Sequence, residues 1–203
     1  MASHRVEGTL ALVTLAIGAV LAIAAPRFFE PGNLRDLVLA NLPVAIVAIG
    51  ATMVVLAGEI DISVGSTFAV SSVVAGTVAT LGWPMPVVVA TTLLVGGLAG
   101  AANGALVAYA GIPSIVVTLA AMVAWRDGLR WATEGEWVQG LPASFQWFGL
   151  SQAAYPVAMV AGVTALAAAA AWMLRQTRMG RAISLTLIFS RNLVASQVTL
   201  APR

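Results

Sequence analysis

The chain has no cysteine and no lysine, one histidine, and only 9% charged residues. Without cysteine there are no disulfides and no thiolate metal sites, and His4 alone cannot form a histidine metal cluster. The redox compartment therefore leaves no trace in the sequence. The ten basic residues are all arginines, spread thinly along 203 positions, so the clustered basic face of a nucleic-acid-binding protein is missing. No G-x-x-x-x-G-K-[ST] phosphate loop, G-x-S-x-G nucleophile elbow or metal-ligand set is found in the sequence. Finally, soluble domains carry about a quarter charged residues. A chain with 9% charged residues, 60% hydrophobic residues and a mean hydropathy of +0.96 reads as an integral membrane protein.

What is present is organised around Gly58-Glu59-Ile60-Asp61-Ile62-Ser63-Val64-Gly65-Ser66. Residues 37 to 57 and 67 to 125 hold no Asp, Glu, Arg or His, so this acid pair stands between long apolar runs. A charged side chain at the bilayer centre costs about 2.5 kcal/mol or more, and such groups face a bundle interior, a water-filled cavity or a membrane boundary. One reading is a short aqueous loop between two spans. The other is a helix break inside the protein, with Gly58 and Gly65 relaxing the backbone and Ser63 or Ser66 capping the next helix.

The apolar runs predict an all-α, polytopic membrane helix bundle of about six spans with broken or kinked helices. Leu10 to Ala25 is the first span, ended by Pro26. A cleaved secretory signal is the alternative there, since Arg5 precedes the run and alanines close it; the topology would then lose one crossing. Leu37 to Ala57 is the second span, and Pro43 inside it predicts a kink near Leu39. Val64 to Leu81 is the third, closed by Gly82-Trp83-Pro84-Met85-Pro86. The fourth, Val87 to Ala110, repeats Gly96, Gly100 and Gly104 every four residues, a stripe that lets another helix approach closely. Asn103 beside it must find a hydrogen-bond partner, as an interhelical lock or a pathway residue.

Gly111-Ile112-Pro113-Ser114 breaks the chain again. Residues 112 to 125 are short for a crossing of roughly 20 residues; either the helix extends through Leu129 and Trp131, or it enters as a half-helix with its N-terminus inside the protein. Residues 132 to 154 form the longest polar stretch, with Trp137, Phe145, Trp147 and Phe148 as a boundary belt, a docking surface or part of a short interfacial helix. Tyr155 to Leu174 is the sixth span, followed by Arg175, Arg178 and Arg181. The positive-inside bias then places both termini in the cytoplasm, Glu134 to Phe148 outside, and Glu59 with Asp61 inside.

Three stretches resemble the permease subunits of bacterial carbohydrate ABC importers, the ribose/xylose/rhamnose/autoinducer-2 group. Gly58 to Ser66 is similar to that family's acid-bearing G-x-I-D-L-S-V-G element. Asn103-Gly104, followed by Gly111-Ile112-Pro113-Ser114-Ile115-Val116-Val117-Thr118-Leu119, resembles its N-G and G-I-P-S-F-I-V-T-L elements, and Arg126-Asp127-Gly128-Leu129 its R-G-L close. The resemblance covers residues 35 to 182. Within the group, Glu134 to Gln139 and Leu141 to Phe148 look most like rhamnose-type permeases. After Ala182 the family's Y-A-I-G-G-N continuation is replaced by Ile183 to Arg191, so residues 1 to 182 are expected to be an incomplete permease domain and 183 to 203 an atypical, out-of-frame tail.

The resemblance implies a subunit without chemistry of its own, no cofactor, and no metal. It implies passage of a monosaccharide by alternating access, with a cytoplasmic ATP-binding subunit, an extracytoplasmic sugar-binding protein, a second permease subunit and membrane lipid as partners, in the bacterial inner membrane. A neutral sugar needs hydrogen-bonding and aromatic groups more than charge, which makes Asn103, Ser114 and Thr118 path candidates, with Glu59, Asp61 and Ser63 as path or hinge residues. A non-transporting fragment or structural partner is the second reading. The third is an intramembrane hydrolase using Glu59 and Asp61 as acid and base, which requires an irregular backbone because residues two apart diverge on a helix.

Overall fold

The computed structural model describes residues 2–146, 150, 151, 153–177 and 180. Among them there are helices and no strands, as the apolar patterning predicts. The helices are α1 (Ala2–Ala24), a 3-10 turn (Pro26–Phe29), α2 (Pro31–Leu56), α3 (Val64–Thr80), α4 (Met85–Ala110), α5 (Ser114–Thr133), a single turn α6 (Ala143–Gln146) and α7 (Ala154–Gln176). The expected tail from 183, the aromatics Trp147 and Phe148, and Arg178 and Arg181 lie outside the described residues.

Breaks between helices fall where glycine and proline put them. Gly58 has φ +82° and closes α2 with two bonds, Gly58 N–H to Val55 C=O (3.0 Å) and Glu59 N–H to Val54 C=O (3.2 Å). This is the paired pattern of a glycine-terminated helix. Gly82, φ +80°, repeats it at the end of α3, donating to Ala79 while Trp83 donates to Val78. Gly111, φ +66°, ends α4. Pro31, Pro84 and Pro113 stand at the starts of α2, α4 and α5, where a missing N–H has no helical partner to lose. Pro43 lies within α2, which continues through it.

The chain divides at that proline into two compact units, one ending at Pro43 and one beginning at Val44. In the first, Asn33 Nδ2 donates to Phe28 C=O (2.7 Å) and the rings of Phe28 and Phe29 meet edge-on at 5.2 Å, fixing the turn between α1 and α2. In the second, α3, α4 and α5 pack against one another around the buried Ala79, Val88, Ala99 and Val117.

Among the described residues four helices are long and apolar enough to cross a membrane: Val6–Ala24, Pro31–Leu56, Met85–Ala110 and Ala154–Gln176. The remaining two expected crossings differ in kind. α3 has 17 residues, about 26 Å at 1.5 Å per residue, just short of a 30 Å hydrocarbon core. α5 runs unbroken through Leu129 and Trp131, the extended alternative, and so carries Arg126, Asp127 and Arg130 in its last turns. The exposed Leu, Ile and Val side chains along α1, α2, α4 and α7 suit lipid rather than water. In the polar stretch after α5 the described residues hold one short helix, the four-residue α6. Glu134, Gly135 and Gly140 take positive φ there, and Val138 reaches back onto Gly76 of α3.

Candidate functional site

The acid-bearing break joins α2 to α3 within the second unit, with Glu59 and Ile60 exposed and Asp61 half-buried, and is tied down by hydroxyls and one amide. Asp61 Oδ1 accepts the Ser63 N–H (2.7 Å) and the Ser63 Oγ–H (2.6 Å). The carboxylate thus fixes the residue that precedes α3, and no side chain caps the helix. Ser63 occupies the cap position without a capping bond, because its hydroxyl is turned to Asp61, and its C=O accepts the Thr67 N–H (2.9 Å) and the Ser66 Oγ–H (2.8 Å). Of the two glycines expected to relax the backbone, Gly58 has the left-handed φ, while Gly65 lies in the first turn of α3.

Asn103, near the C-terminal end of α4, completes the chain: its Nδ2 donates to Ser63 Oγ at 2.9 Å. The orientation of the amide follows from the network. Since the Ser63 hydroxyl gives its only proton to Asp61, it can only accept from Asn103, so the amide nitrogen faces it. Ser63 is 0% exposed and Asn103 8%, which makes the relay from Asn103 through Ser63 to Asp61 a buried lock between α4 and the start of α3.

On the other side, α5 holds the same segment. Ser114 Oγ accepts the Ile60 N–H (3.2 Å), and Thr118 Oγ1 accepts the Ile62 N–H (3.2 Å) while donating to Ile60 C=O (3.3 Å). Four residues of helix rise about 6 Å and two residues of stretched chain span about 6.6 Å. Hydroxyls at i and i+4 on α5 thus match amides at i and i+2 on the segment. The N-terminus of α5 meets this backbone through its side chains.

These residues line a cavity of about 510 Å³, formed by Glu59, Asp61, Asn103, Ser114 and Thr118, with Gly100, Gly104 and Val107 of α4, Val54 of α2 and Ala57 just after it. All six polar candidates are accordingly brought together, five in the wall and Ser63 directly behind it. A second cavity, about 240 Å³, lies against the same Asp61, Gly100 and Asn103 and is otherwise lined mainly by Val47, Val64, Phe68 and Ser71. The glycine stripe is divided. A Cβ on Gly96 would sit 3.4 Å from Ser71 Oγ, so that position lies close to α3, whereas a Cβ on Gly100 or Gly104 would meet nothing within 4 Å. The two open glycines widen the cavity. Gly76 of α3, marked in the sequence only as an isolated glycine in an apolar run, is a close approach: a Cβ there would lie 3.0 Å from Val138 Cγ1.

Among the described residues no group of three or more His, Asp or Glu side chains could hold a metal ion.

Comparison with known proteins places this architecture. Residues 33–187 match the sequence model of a family described as branched-chain amino acid transport system / permease component. The autoinducer 2 import system permease protein LsrC of Salmonella typhimurium is 41% identical over 143 residues, covering 67% of this chain and 39% of that protein. LsrC of Escherichia coli is 36% identical over 186 residues, covering 86% of this chain and 52% of its own length. LsrC of Shigella flexneri is 36% identical over 186 residues. The chain spans about half the length of these relatives or less. No solved structure matches it. The chain belongs to this permease-component family, and four of its described helices are long and apolar enough to cross a membrane.

Proposed function

We propose that this chain contributes the membrane path of an ATP-driven importer for a small hydroxylated solute. One observation carries the reading: five hydrogen-bonding side chains, drawn from positions as far apart as Glu59 and Thr118, line one cavity of about 510 Å³ within an otherwise apolar fold, with Ser63 behind them. Its size falls in the range of small-molecule sites, about 300–1,000 Å³. The segment 59–63 is held on one side by Asn103 and on the other by Ser114 and Thr118. In alternating access these two sets of bonds are exchanged as α4 and α5 move apart, and the cavity opens to one side at a time. ATP hydrolysis belongs to a separate cytoplasmic subunit, delivery to an extracytoplasmic binding protein, and the path is completed by a second permease subunit. The protein lies in the bacterial inner membrane with both termini in the cytoplasm.

Two cargoes are put forward. The segments Glu134 to Gln139 and Leu141 to Phe148 favour rhamnose; the relatives' names favour autoinducer 2. The test is uptake of radiolabelled L-rhamnose, D-ribose, L-leucine or autoinducer 2 into cells that co-express this chain with an ATP-binding subunit and a solute-binding protein of the same importer class. Uptake of L-rhamnose, D-ribose or autoinducer 2 that disappears with an ATPase-dead subunit supports the reading, and uptake of L-leucine alone overturns the hydroxylated cargo. Co-purification with the ATP-binding subunit without any uptake replaces it by the structural-partner role.

A further inference from the structure

We infer that Glu59 makes the cavity a charge filter: it accepts solutes through their hydroxyl donors and turns away those bearing a phosphate or a free carboxylate. The inference rests on the transport reading for its biological meaning, but its physical content is a property of the cavity alone. The polar atoms in the wall are unevenly occupied. Thr118 Oγ1 both donates and accepts, so it has one acceptor position left and no proton to offer. Asp61 Oδ1 holds the two protons of Ser63, which leaves Oδ2. Asn103 uses one N–H on Ser63, leaving an amide oxygen and a second N–H on a side chain that is 8% exposed and lines the cavity. Ser114 accepts from Ile60 and retains its proton.

Glu59 differs from all of these. Among the described residues its side chain has no hydrogen-bond partner and no ion pair, and both its oxygens are acceptors. The lining contains two carboxylates and no arginine. Free acceptors thus outnumber free donors, and the net charge of the wall is negative. A hydroxyl-rich neutral solute satisfies such a wall; a carboxylate or phosphate meets two like charges at close range in a cleft with low-dielectric sides, where one sign of charge focuses its field. Glu59 is the separable part of the filter, because Asp61 also holds α3 through Ser63 and Glu59 holds nothing.

The cysteine-free sequence supplies the test. Ala108 lines the cavity and is exposed, so Ala108→Cys introduces the sole thiol of the full chain at that wall; Gln139→Cys, on an exposed position outside it, calibrates the reagents. Purified chain in lipid nanodiscs is treated with a cationic trimethylammonium-ethyl methanethiosulfonate or its anionic sulfonatoethyl counterpart, and the two rates are compared. Relative to Gln139→Cys, the cationic reagent is expected to be favoured about tenfold or more at Ala108→Cys, and Glu59→Gln in the same background should remove most of that preference. Val107→Cys, also in the wall, gives a second site should Ala108→Cys fold poorly. Equal preference at the two sites, a preference untouched by Glu59→Gln, or no reaction with either reagent in the cavity would overturn the inference. Since labelling needs no partner subunit, a charge preference without solute uptake would sink the transport reading and leave the filter standing.

Discussion

At the scale of single residues, Ser63 matters more than its size implies. It is fully buried, its backbone N–H and hydroxyl both reach Asp61, and its oxygen receives Asn103. Ser63→Ala removes two side-chain bonds and leaves the buried Asn103 amide without its acceptor. An unsatisfied buried polar group costs about 1–3 kcal/mol. Asn103→Ala removes one of the same bonds, so the two losses overlap. In a double-mutant cycle followed by denaturant unfolding in detergent micelles, the pair should lose less stability than the two single changes summed, with a coupling of about 0.5–3 kcal/mol. Strict additivity would show that the 2.9 Å contact contributes nothing.

Part of this was readable beforehand. A carboxylate and an amide in apolar runs must each find a partner, which points to Asp61 and Asn103, while Ser63 is legible as a helix start and Ser114 and Thr118 through the family resemblance. What the requirement could not provide was the pairing. Serine before a helix reads as a cap by propensity, yet here the Ser63 hydroxyl is held between Asp61 and Asn103 and α3 has no side-chain cap, because partners outside the helix compete with the local bond. Gly100 and Gly104 carry the same lesson, since a small residue permits close approach without requiring it.

At the scale of the element, α5 is an apolar helix start that uses two hydroxyls in place of a strand partner. Thr118→Val keeps the shape of the side chain and removes both its bonds, leaving the Ile62 N–H and Ile60 C=O unpaired. Ser114→Ala removes only the acceptor for Ile60. The changes should therefore separate by hydrogen exchange: faster exchange at the Ile62 amide in Thr118→Val, faster exchange at the Ile60 amide in Ser114→Ala, with Thr118→Val the more destabilising at about 1–3 kcal/mol. Acceleration of both amides alike in both variants would mean that the segment opens as one piece. Gly58→Ala belongs to the same joint. At φ +82° an L-residue costs about 1–2 kcal/mol, and the unfolding midpoint should fall accordingly; Gly65→Ala, in the first turn of a helix with nothing within 4 Å of the new Cβ, should not lower it. Helix ends of this kind were legible in the sequence because glycine and proline act locally. The continuation of α5 past Trp125 was left open, since Arg126, Asp127 and Arg130 interrupt the apolar signal without interrupting the helix.

At the scale of the molecule, a path for solute and a packed bundle make opposite demands on the same helix, and α4 meets both with glycine. At Gly96 the absence of a side chain keeps α4 near Ser71; at Gly100 and Gly104 it leaves space. Gly104→Leu would place a branched side chain into the cavity of about 510 Å³ where no atom stands within 4 Å of its Cβ. Replacing glycine inside a helix also restricts the unfolded chain, so stability should be unchanged or rise by about 0.4–1 kcal/mol. Transport should behave otherwise: if the cavity is the path, uptake of the cognate solute by the assembled importer should fall by an order of magnitude or more while membrane insertion and subunit association persist. The contrasting variant is Gly76→Leu, whose new side chain would collide with Val138 outside the cavity. Overpacking of that kind costs about 1–3 kcal/mol, and its effect on uptake should follow the loss of folded protein. Full uptake by a stably folded Gly104→Leu permease would mean that solute crosses elsewhere in the assembly, and that the polar wall around Asp61 serves only to hold α3, α4 and α5 together.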